Sequence, residues 1–488
     1  MSGFNRLLKN SVANIINGFS NVILGIVISP FILANLSLEQ FSVWSLILQS
    51  GIFISLLGFG SQIAVGRYTS LAKFTKNESE FEAVMSNALV LSLVSLFLSF
   101  ITIAVVVSNF SFFMPQLGHG NEGEYKLSFI IVCLSFSFGL ISSVFSGYFT
   151  GIERNDILAL VNLTSRVFLG IIVVISSKYG LLPMAITYLL VNILSYAVIF
   201  LCFKRKERKR VSLRISSGMR SLLSFCGGLA IWNMAQYFIS GTGGFIVGKY
   251  DVSNLAYYML ALTMINAIVG VIGALINPII QPIVKLNSLQ RKDDVDKLVI
   301  TLSFLFGLFI IVGVNISHYI SEFVLSIWIG IDKAEQTNII FNYLLVAFAI
   351  RMVISPYGMK MVSEGRQLSI SHYPLAEGVL NFFLSIYFVS KYGALGIAYA
   401  TTCAALVLML AYIYRYTLDC NLDKKYILVS ISFFILPLAA VINVFFLESS
   451  KLYSNVQTVM IIQLLVLIPV AIFIIRGIKN VKRLVNSI

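Results

Sequence analysis

Three ionisable side chains lie deep inside long apolar stretches of the sequence. Arg351 sits in the run AFAIRMVISPYGMKM (Ala347–Met361), Arg166 lies in a second run, and Glu377 is the only acid well inside any of them. Where such runs cross a membrane, a charge costs several kcal/mol unless it pairs or faces water, so each is a functional-site hypothesis. The planar guanidinium of arginine suits the oxyanions of a phosphate or a sugar carboxylate.

Two interpretations of these charges stay open. In the first, Arg351 pairs with Glu377 and joins two neighbouring spans, while Arg166 bonds to backbone carbonyls inside its own bundle. In the second, the arginines face a water-filled cleft and bind an anionic part of a substrate, and Glu377 tunes Arg351 or takes a coupling proton. The two interpretations are compatible for Arg351. Beyond coupling to protons or sodium, we expect no cofactor.

The motifs of other chemistry are missing from the sequence. It has no P-loop, and its three histidines, His119, His318 and His372, are far apart. The five cysteines occur singly, with no metal or disulfide spacing. We therefore predict that the protein is not an enzyme and that it holds no metal.

The elements that must position these charges are membrane-spanning helices. Of the 488 residues, 58% are hydrophobic and 11% are charged, and the mean hydropathy is +0.91. A soluble protein would carry about a quarter charged residues. The apolar blocks are about twenty residues long, which suits a helix that crosses a bilayer. We predict about fourteen spans, near 10–33, 41–63, 84–107, 127–150, 157–177, 181–203, 219–246, 255–283, 299–320, 337–362, 368–390, 393–415, 426–447 and 456–476.

The net charge of +14 is distributed as in a membrane protein rather than a nucleic-acid-binding one. Most lysines and arginines fall in alternate joints between spans, and the other joints hold single lysines such as Lys126 and Lys178. This bias predicts that both termini are cytoplasmic. The basic run KRKERKR at Lys204–Arg210 is expected to anchor this orientation and to contact anionic membrane lipids. We expect no nucleic-acid partner.

An internal repeat predicts two related lobes. SKYGLLPMA at Ser177–Ala185 returns as SKYGALGIA at Ser390–Ala398, each between two predicted spans. An even number of spans separates the copies, so the halves have parallel topology and are related by an axis along the membrane normal. We predict an N-terminal lobe at 1–210 (spans 1–6), a second lobe at 211–418 (spans 7–12) and an appended pair of spans at 419–488.

Polar stripes mark the helices that are expected to face a central cleft. Positions spaced 0, 4, 7 and 11 share one helix face. Small residues and amides on such a face can also serve helix packing, but four asparagines on span 1 favour a water-filled cleft. The stripes are Asn10, Asn14, Asn17 and Asn21 on span 1; Gly51, Ser55, Gly58 and Gln62 on span 2; Asn233, Tyr237, Ser240 and Gly244, with Gln236 beside them, on span 7; and Asn266, Gly270, Gly273 and Asn277 on span 8. The candidate cavity residues are Arg351, Arg166, Asn14, Asn17, Asn21, Gln62, Asn233, Gln236, Tyr237 and Asn266.

The repeated spans, the short turns FTGIERND and VSEGRQLS, and the segment GFGSQIAVGRYTS resemble the MOP (multidrug/oligosaccharidyl-lipid/polysaccharide) exporter superfamily, most closely its O-antigen and polysaccharide flippases. This resemblance implies an all-α polytopic fold with a V-shaped pair of bundles in a bacterial cytoplasmic (inner) membrane. It implies alternating access that turns an undecaprenyl-pyrophosphate-linked glycan from the inner to the outer leaflet. A polysaccharide polymerase or other assembly protein is the implied partner.

Departures from related patterns narrow the choice within this superfamily. Its drug/cation antiporters commonly use an acid in the first bundle, but the interiors of spans 1–6 contain no Asp or Glu. Its lipid II flippases carry an arginine on the first span, and none occurs here between Asn10 and Leu33. A cavity of amides with Arg351 or Arg166 suits a hydroxyl-rich, modestly anionic sugar. The alternative function is an ion-coupled exporter of small amphipathic solutes.

Overall fold

The computed structural model describes most of the chain between residues 25 and 419. The described residues are 25–113, 121–207, 213–216, 218–276, 283, 286–287, 289–364, 366, 371–419, 435–436, 438–439, 441–442 and 475–479. Within these ranges the regular structure is helical and there is no strand. The predicted asparagine stripe of span 1, including Asn14, Asn17 and Asn21, lies outside the described residues.

The helices follow one another with short connections. In chain order they are α1 (Gly25–Asn35), α2 (Leu38–Leu56), α3 (Ser61–Phe74), α4 (Glu78–Ser108), α5 (Phe110–Phe113), α6 (Glu122–Gly151), α7 (Asn155–Ser177), α8 (Leu181–Lys206), α9 (Met219–Ser240), α10 (Gly243–Tyr250), α11 (Leu255–Ile276), α12 (Lys292–Ile329), α13 (Ile331–Ser363), α14 (His372–Tyr392) and α15 (Leu395–Asp419). A single 3₁₀ turn, Val252–Asn254, precedes α11.

Ten helical segments of the described chain are long and apolar enough to cross a membrane, which confirms a multi-pass membrane protein. They coincide with the predicted spans 2–10 and 12. Helix α14 occupies the position of predicted span 11 but is not among the ten. Most of predicted spans 1, 13 and 14 falls outside the described residues, so the total of fourteen stays a prediction.

Two predicted spans are broken rather than continuous. The second span stops at Leu56 and restarts at Ser61, because Phe59 and Gly60 have φ angles of 49° and 69°, which no α-helix accommodates. The seventh stops at Ser240 and restarts at Gly243. The predicted stripe on span 2 therefore does not run along one helix, since Gln62 belongs to α3.

The two copies of the sequence repeat occupy equivalent turns. Gly180, between α7 and α8, has a φ of 103°, and Gly393, between α14 and α15, has a φ of 59°. Both values lie in the region that glycine enters without steric cost. The repeat is therefore a helix–turn–helix unit whose chain reversal needs a glycine at the same place in each copy.

The described chain divides into two compact units at Met259 and Leu260. In the first unit the core forms between α3, α4, α6 and α8, around residues such as Met85, Tyr148 and Phe203. In the second it forms between α12, α13 and α15, around residues such as Val299, Tyr357 and Tyr416. This division follows the density of contacts within each unit and does not test the sequence repeat. The predicted lobes at 1–210 and 211–418 and the appended pair of spans at 419–488 therefore stay predictions.

Candidate functional site

The first unit contains a cavity of about 720 Å³ whose lining is rich in hydroxyl and amide groups; we call it the polar cavity. Helices α3, α6 and α7 supply most of the wall, α2 and α8 contribute two side chains each, and α9 contributes one. The polar residues that line it are Ser55, Ser61, Gln62, Ser142, Ser143, Ser146, Thr150, Asn155, Asn162, Arg166, Tyr196 and Asn233. None of the described residues that line it is acidic.

Three of the predicted site residues meet in this cavity. Gln62 comes from the first turn of α3, Arg166 from the middle of α7 and Asn233 from α9. The break between α2 and α3 starts a new helix just before Gln62, which lies exposed on the cavity wall. Arg166 is eleven residues beyond Asn155, about 16 Å along the α7 axis.

Arg166 carries the only positive charge among the described residues of the cavity wall. It is half-buried, and within the described part of the chain it makes no hydrogen bond and no ion pair. Tyr196 lines the same cavity. The absence of such bonds within the described chain differs from the interpretation in which carbonyls of its own bundle hold Arg166, and it leaves the guanidinium fork available to an oxyanion.

The other predicted residues of this region lie elsewhere. Tyr237 is buried, with its ring 5.2 Å from that of Phe53. Gln236 on α9 and Asn266 on α11 are exposed. None of these three lines the polar cavity. The hydroxyls of α6 that do line it, such as Ser143 and Ser146, were not predicted, because serines recur all along that helix and their pattern singles out no face.

In the second unit, Arg351 of α13 and Glu377 of α14 form an ion pair. Arg351 Nε donates to Glu377 Oε1 at 2.5 Å, and only 16% and 3% of the two side chains are exposed. The Arg351 guanidinium also lies 5.3 Å from the centre of the Phe348 ring. Its Nη1 and Nη2 atoms are buried and have no hydrogen-bond partner among the residues that the structure describes. The carboxylate therefore satisfies only one edge of the guanidinium, and two nitrogens remain for another acceptor.

The sequence did not predict a second buried ion pair, which lies near the C-terminal end of α13. Lys360 Nζ donates to Asp296 Oδ1 at 2.6 Å, and each side chain is 7% exposed. Tyr416 donates to the same carboxylate oxygen at 3.3 Å. Asp296 was assigned to a joint because span 9 was predicted to begin at 299, whereas α12 begins at Lys292. Helical periodicity could have predicted the burial of Asp296, since it shares a helix face with the buried residues Val299 and Ser303.

Replacing Asp296 with alanine should destabilise the second unit by about 3–5 kcal/mol, because Lys360 would be left charged and buried. Thermal unfolding of the purified protein in detergent measures this loss. The matched control is Glu122→Ala, which removes an exposed i,i+4 partner of Lys126 and should cost at most about 1 kcal/mol. Equal losses for the two variants would contradict a buried, paired Asp296.

Comparisons with solved structures show which fold carries these sites. A structure of the lipid II flippase MurJ in an inward closed conformation aligns over 96% of this chain and 98% of its own, with a TM-score of 0.66 at 15% identity. An inward-facing multidrug resistance MATE family transporter of the MOP superfamily aligns over 82% and 95%, with a TM-score of 0.60 at 16% identity.

The chain has the fold of these two transporters. The predicted all-α polytopic fold is thereby confirmed, and the resemblance noted in the sequence is confirmed as a likeness of fold. A third MOP structure, a transporter from Pyrococcus furiosus Vc1 (DSM3638), aligns over 84% of this chain and 95% of its own, with a TM-score of 0.52 at 15% identity. The family model described as polysaccharide biosynthesis protein matches residues 72–312. A comparison with curated protein sequences gives no match. Within this MOP fold, the residues matched by the family model include Arg166 and Asn233 of the polar cavity.

Proposed function

We propose that the protein is a flippase that moves a polyprenyl-pyrophosphate-linked oligosaccharide from the cytoplasmic to the outer leaflet. The observation that carries this proposal is the polar cavity. Its described lining combines many hydroxyl and amide groups with one guanidinium that has no partner among the described residues, and it includes no acid. Such a lining hydrogen-bonds sugar hydroxyls and holds one or a few negative charges. The match to a polysaccharide biosynthesis family and the likeness to a lipid II flippase support the same function.

Each part of the cavity has a role in this proposal. Gln62 and Asn233 bind hydroxyl or amide groups of the glycan, and Arg166 binds an oxyanion of the pyrophosphate or of an acidic sugar. The lipid tail stays in the bilayer while the polar head is carried across by alternating access. The glycan is an O-antigen or similar repeat unit on undecaprenyl pyrophosphate, and a polysaccharide polymerase receives it on the far side of a bacterial inner membrane.

The Arg351–Glu377 pair is proposed to couple this movement to an ion. Protonation of Glu377 would remove the negative charge next to Arg351. It would thereby weaken the hydrogen bond from Arg351 Nε and make the guanidinium more available to another acceptor. The pair is therefore an element with two charge states, which is what coupling to a proton requires. Sodium binding by the carboxylate would have the same effect on Arg351.

The second candidate is an ion-coupled exporter of small amphipathic solutes. The likeness to a multidrug resistance MATE transporter favours it. The described polar cavity disfavours an organic cation as the cargo, because its charged lining residue is an arginine. If the protein is such an exporter, its cargo is therefore a neutral or anionic solute.

Deletion of the gene in its host, followed by complementation, separates the two candidates. We expect the deletion to abolish surface polysaccharide and to accumulate lipid-linked repeat units, and the intact gene to restore both. Normal surface polysaccharide together with altered sensitivity to toxic solutes would instead establish the exporter.

A further inference from the structure

A second cavity of about 420 Å³ lies between α6 and α8, and its wall is almost wholly apolar; we call it the tail groove. It is lined by Phe138, Ile141, Ser142, Phe145, Ile193, Tyr196, Ala197 and Phe200. Phe138, Ile193 and Phe200 are each more than a third exposed, so the groove opens on the outer face of these two helices. Both helices span the membrane, so this face is surrounded by lipid chains.

The tail groove and the polar cavity share a wall. Ser142 of α6 and Tyr196 of α8 line both of them. The Tyr196 hydroxyl lies against Gly139, where an added Cβ would come within 2.9 Å of the oxygen. Any larger residue at position 139 would displace that hydroxyl. Tyr196, an amphipathic side chain, thus separates the polar cavity, which Arg166 also lines, from the tail groove, which it does not.

The depth of the groove suits a lipid that arrives from the cytoplasmic leaflet. On α8, Phe200 and Ile193 precede Lys204 by four and eleven residues, which places them about 6 and 16 Å from that lysine along the axis. Lys204 begins the basic run that is predicted to be cytoplasmic. In that orientation the groove lies in the inner half of the bilayer, beside the cavity that we propose holds the glycan.

We infer that the tail groove binds the first isoprenoid units of the substrate's lipid tail while its polar head occupies the polar cavity. This inference rests on the proposed function and adds a lipid subsite to it. Branched isoprenoid units match a groove lined by phenylalanine rings and the small Ala197. The shared wall keeps the apolar tail and the polar head on opposite sides of Tyr196 and only one side chain apart.

A photocrosslinking experiment tests the groove without requiring transport. A photoreactive amino acid replaces Ala197, inside the groove, or Val198, which is exposed on the next position of α8 and does not line it. The full-length protein is placed in phosphatidylethanolamine–phosphatidylglycerol vesicles with radiolabelled undecaprenyl pyrophosphate N-acetylglucosamine. We expect the labelled lipid to crosslink at position 197 and only weakly at 198. Equal labelling at both positions, or crosslinking of phospholipid alone, would overturn the inference and assign the groove to ordinary bilayer chains.

A transport experiment with matched variants tests whether the groove is used. Ala197→Trp fills it, and we expect movement of the undecaprenyl probe to fall roughly tenfold, the effect of losing about two buried methylene groups. Val198→Trp should move the probe as wild type does. An analogue whose pyrophosphate carries a methyl group in place of the isoprenoid chain has nothing to place in the groove, so its movement should be insensitive to both substitutions. Equal transport of the undecaprenyl probe by the two variants would overturn the inference. A wild-type protein that moves neither probe would instead overturn the proposed function, and the crosslinking result would still decide the groove.

Discussion

Replacing Arg166 with glutamine should lower movement of a pyrophosphate-linked glycan by roughly 10- to 100-fold, because a charge-assisted hydrogen bond contributes about 1.5–3 kcal/mol. Arg166 has no ion pair or hydrogen bond within the described part of the chain, so its removal leaves no orphaned carboxylate behind. The substitution should therefore reduce transport and leave the unfolding temperature nearly unchanged. Transport into reconstituted vesicles, measured beside thermal unfolding, checks both parts.

Two control variants sharpen the Arg166 prediction. Arg166→Lys keeps the charge but loses the planar fork, so we expect transport between that of wild type and of the glutamine variant. Arg154→Gln removes another arginine at the start of the same helix, where it pairs with Asp156 outside the polar cavity wall. That variant should transport normally. Full activity of Arg166→Gln would contradict a role for Arg166 in binding the substrate.

Single substitutions of Arg351 or Glu377 should be among the most damaging in the second unit. Glu377→Leu leaves a buried guanidinium without its carboxylate, and we expect a loss of about 3–5 kcal/mol in unfolding free energy. The double variant Arg351→Met with Glu377→Leu replaces the pair by apolar residues of similar volume and should recover most of that stability. Thermal unfolding of Arg351→Met, Glu377→Leu and the double variant in detergent measures this double-mutant cycle.

Transport by the same variants separates the two interpretations of Arg351. The unpartnered Nη1 and Nη2 atoms predict that the double variant regains stability but not transport, because the substrate or the coupling step also needs the guanidinium. If the double variant regains both, the pair only joins α13 to α14. In that outcome Arg351 is a structural residue and the proposed coupling role of Glu377 is contradicted.

Hydropathy predicted the membrane spans well because about twenty apolar residues are a physical requirement of the bilayer. The proximity of Arg351 and Glu377 also followed, since two opposite charges at the same depth on consecutive spans lower each other's cost. Gln62, Arg166 and Asn233 were predicted to line a central cleft between two lobes, and the structure places them on the wall of one cavity within the first unit. Their roles in binding stay predictions until the transport measurements are made.

Other features depended on packing that sequence spacing does not specify. The break after Leu56 comes from two left-handed residues, and Phe59 gives no sign of that conformation in the sequence. Tyr237 lies on the predicted polar face of α9 but packs against Phe53. The Lys360–Asp296 pair joins helix ends that the predicted boundaries placed in or next to joints. In the last two cases a neighbouring helix decides the outcome, and periodicity along a single helix cannot reveal it.

The most direct test of the proposed function is movement of a defined lipid-linked glycan by the purified protein. Vesicles containing the full-length chain and a fluorescent undecaprenyl-pyrophosphate-linked oligosaccharide are exposed to a membrane-impermeant quencher. We predict that the protected inner-leaflet fluorescence becomes accessible with wild-type protein and far more slowly with Arg166→Gln. Fluorescence that stays protected with wild-type protein, in vesicles that do accumulate or release a small amphipathic solute, would contradict the flippase and support the exporter.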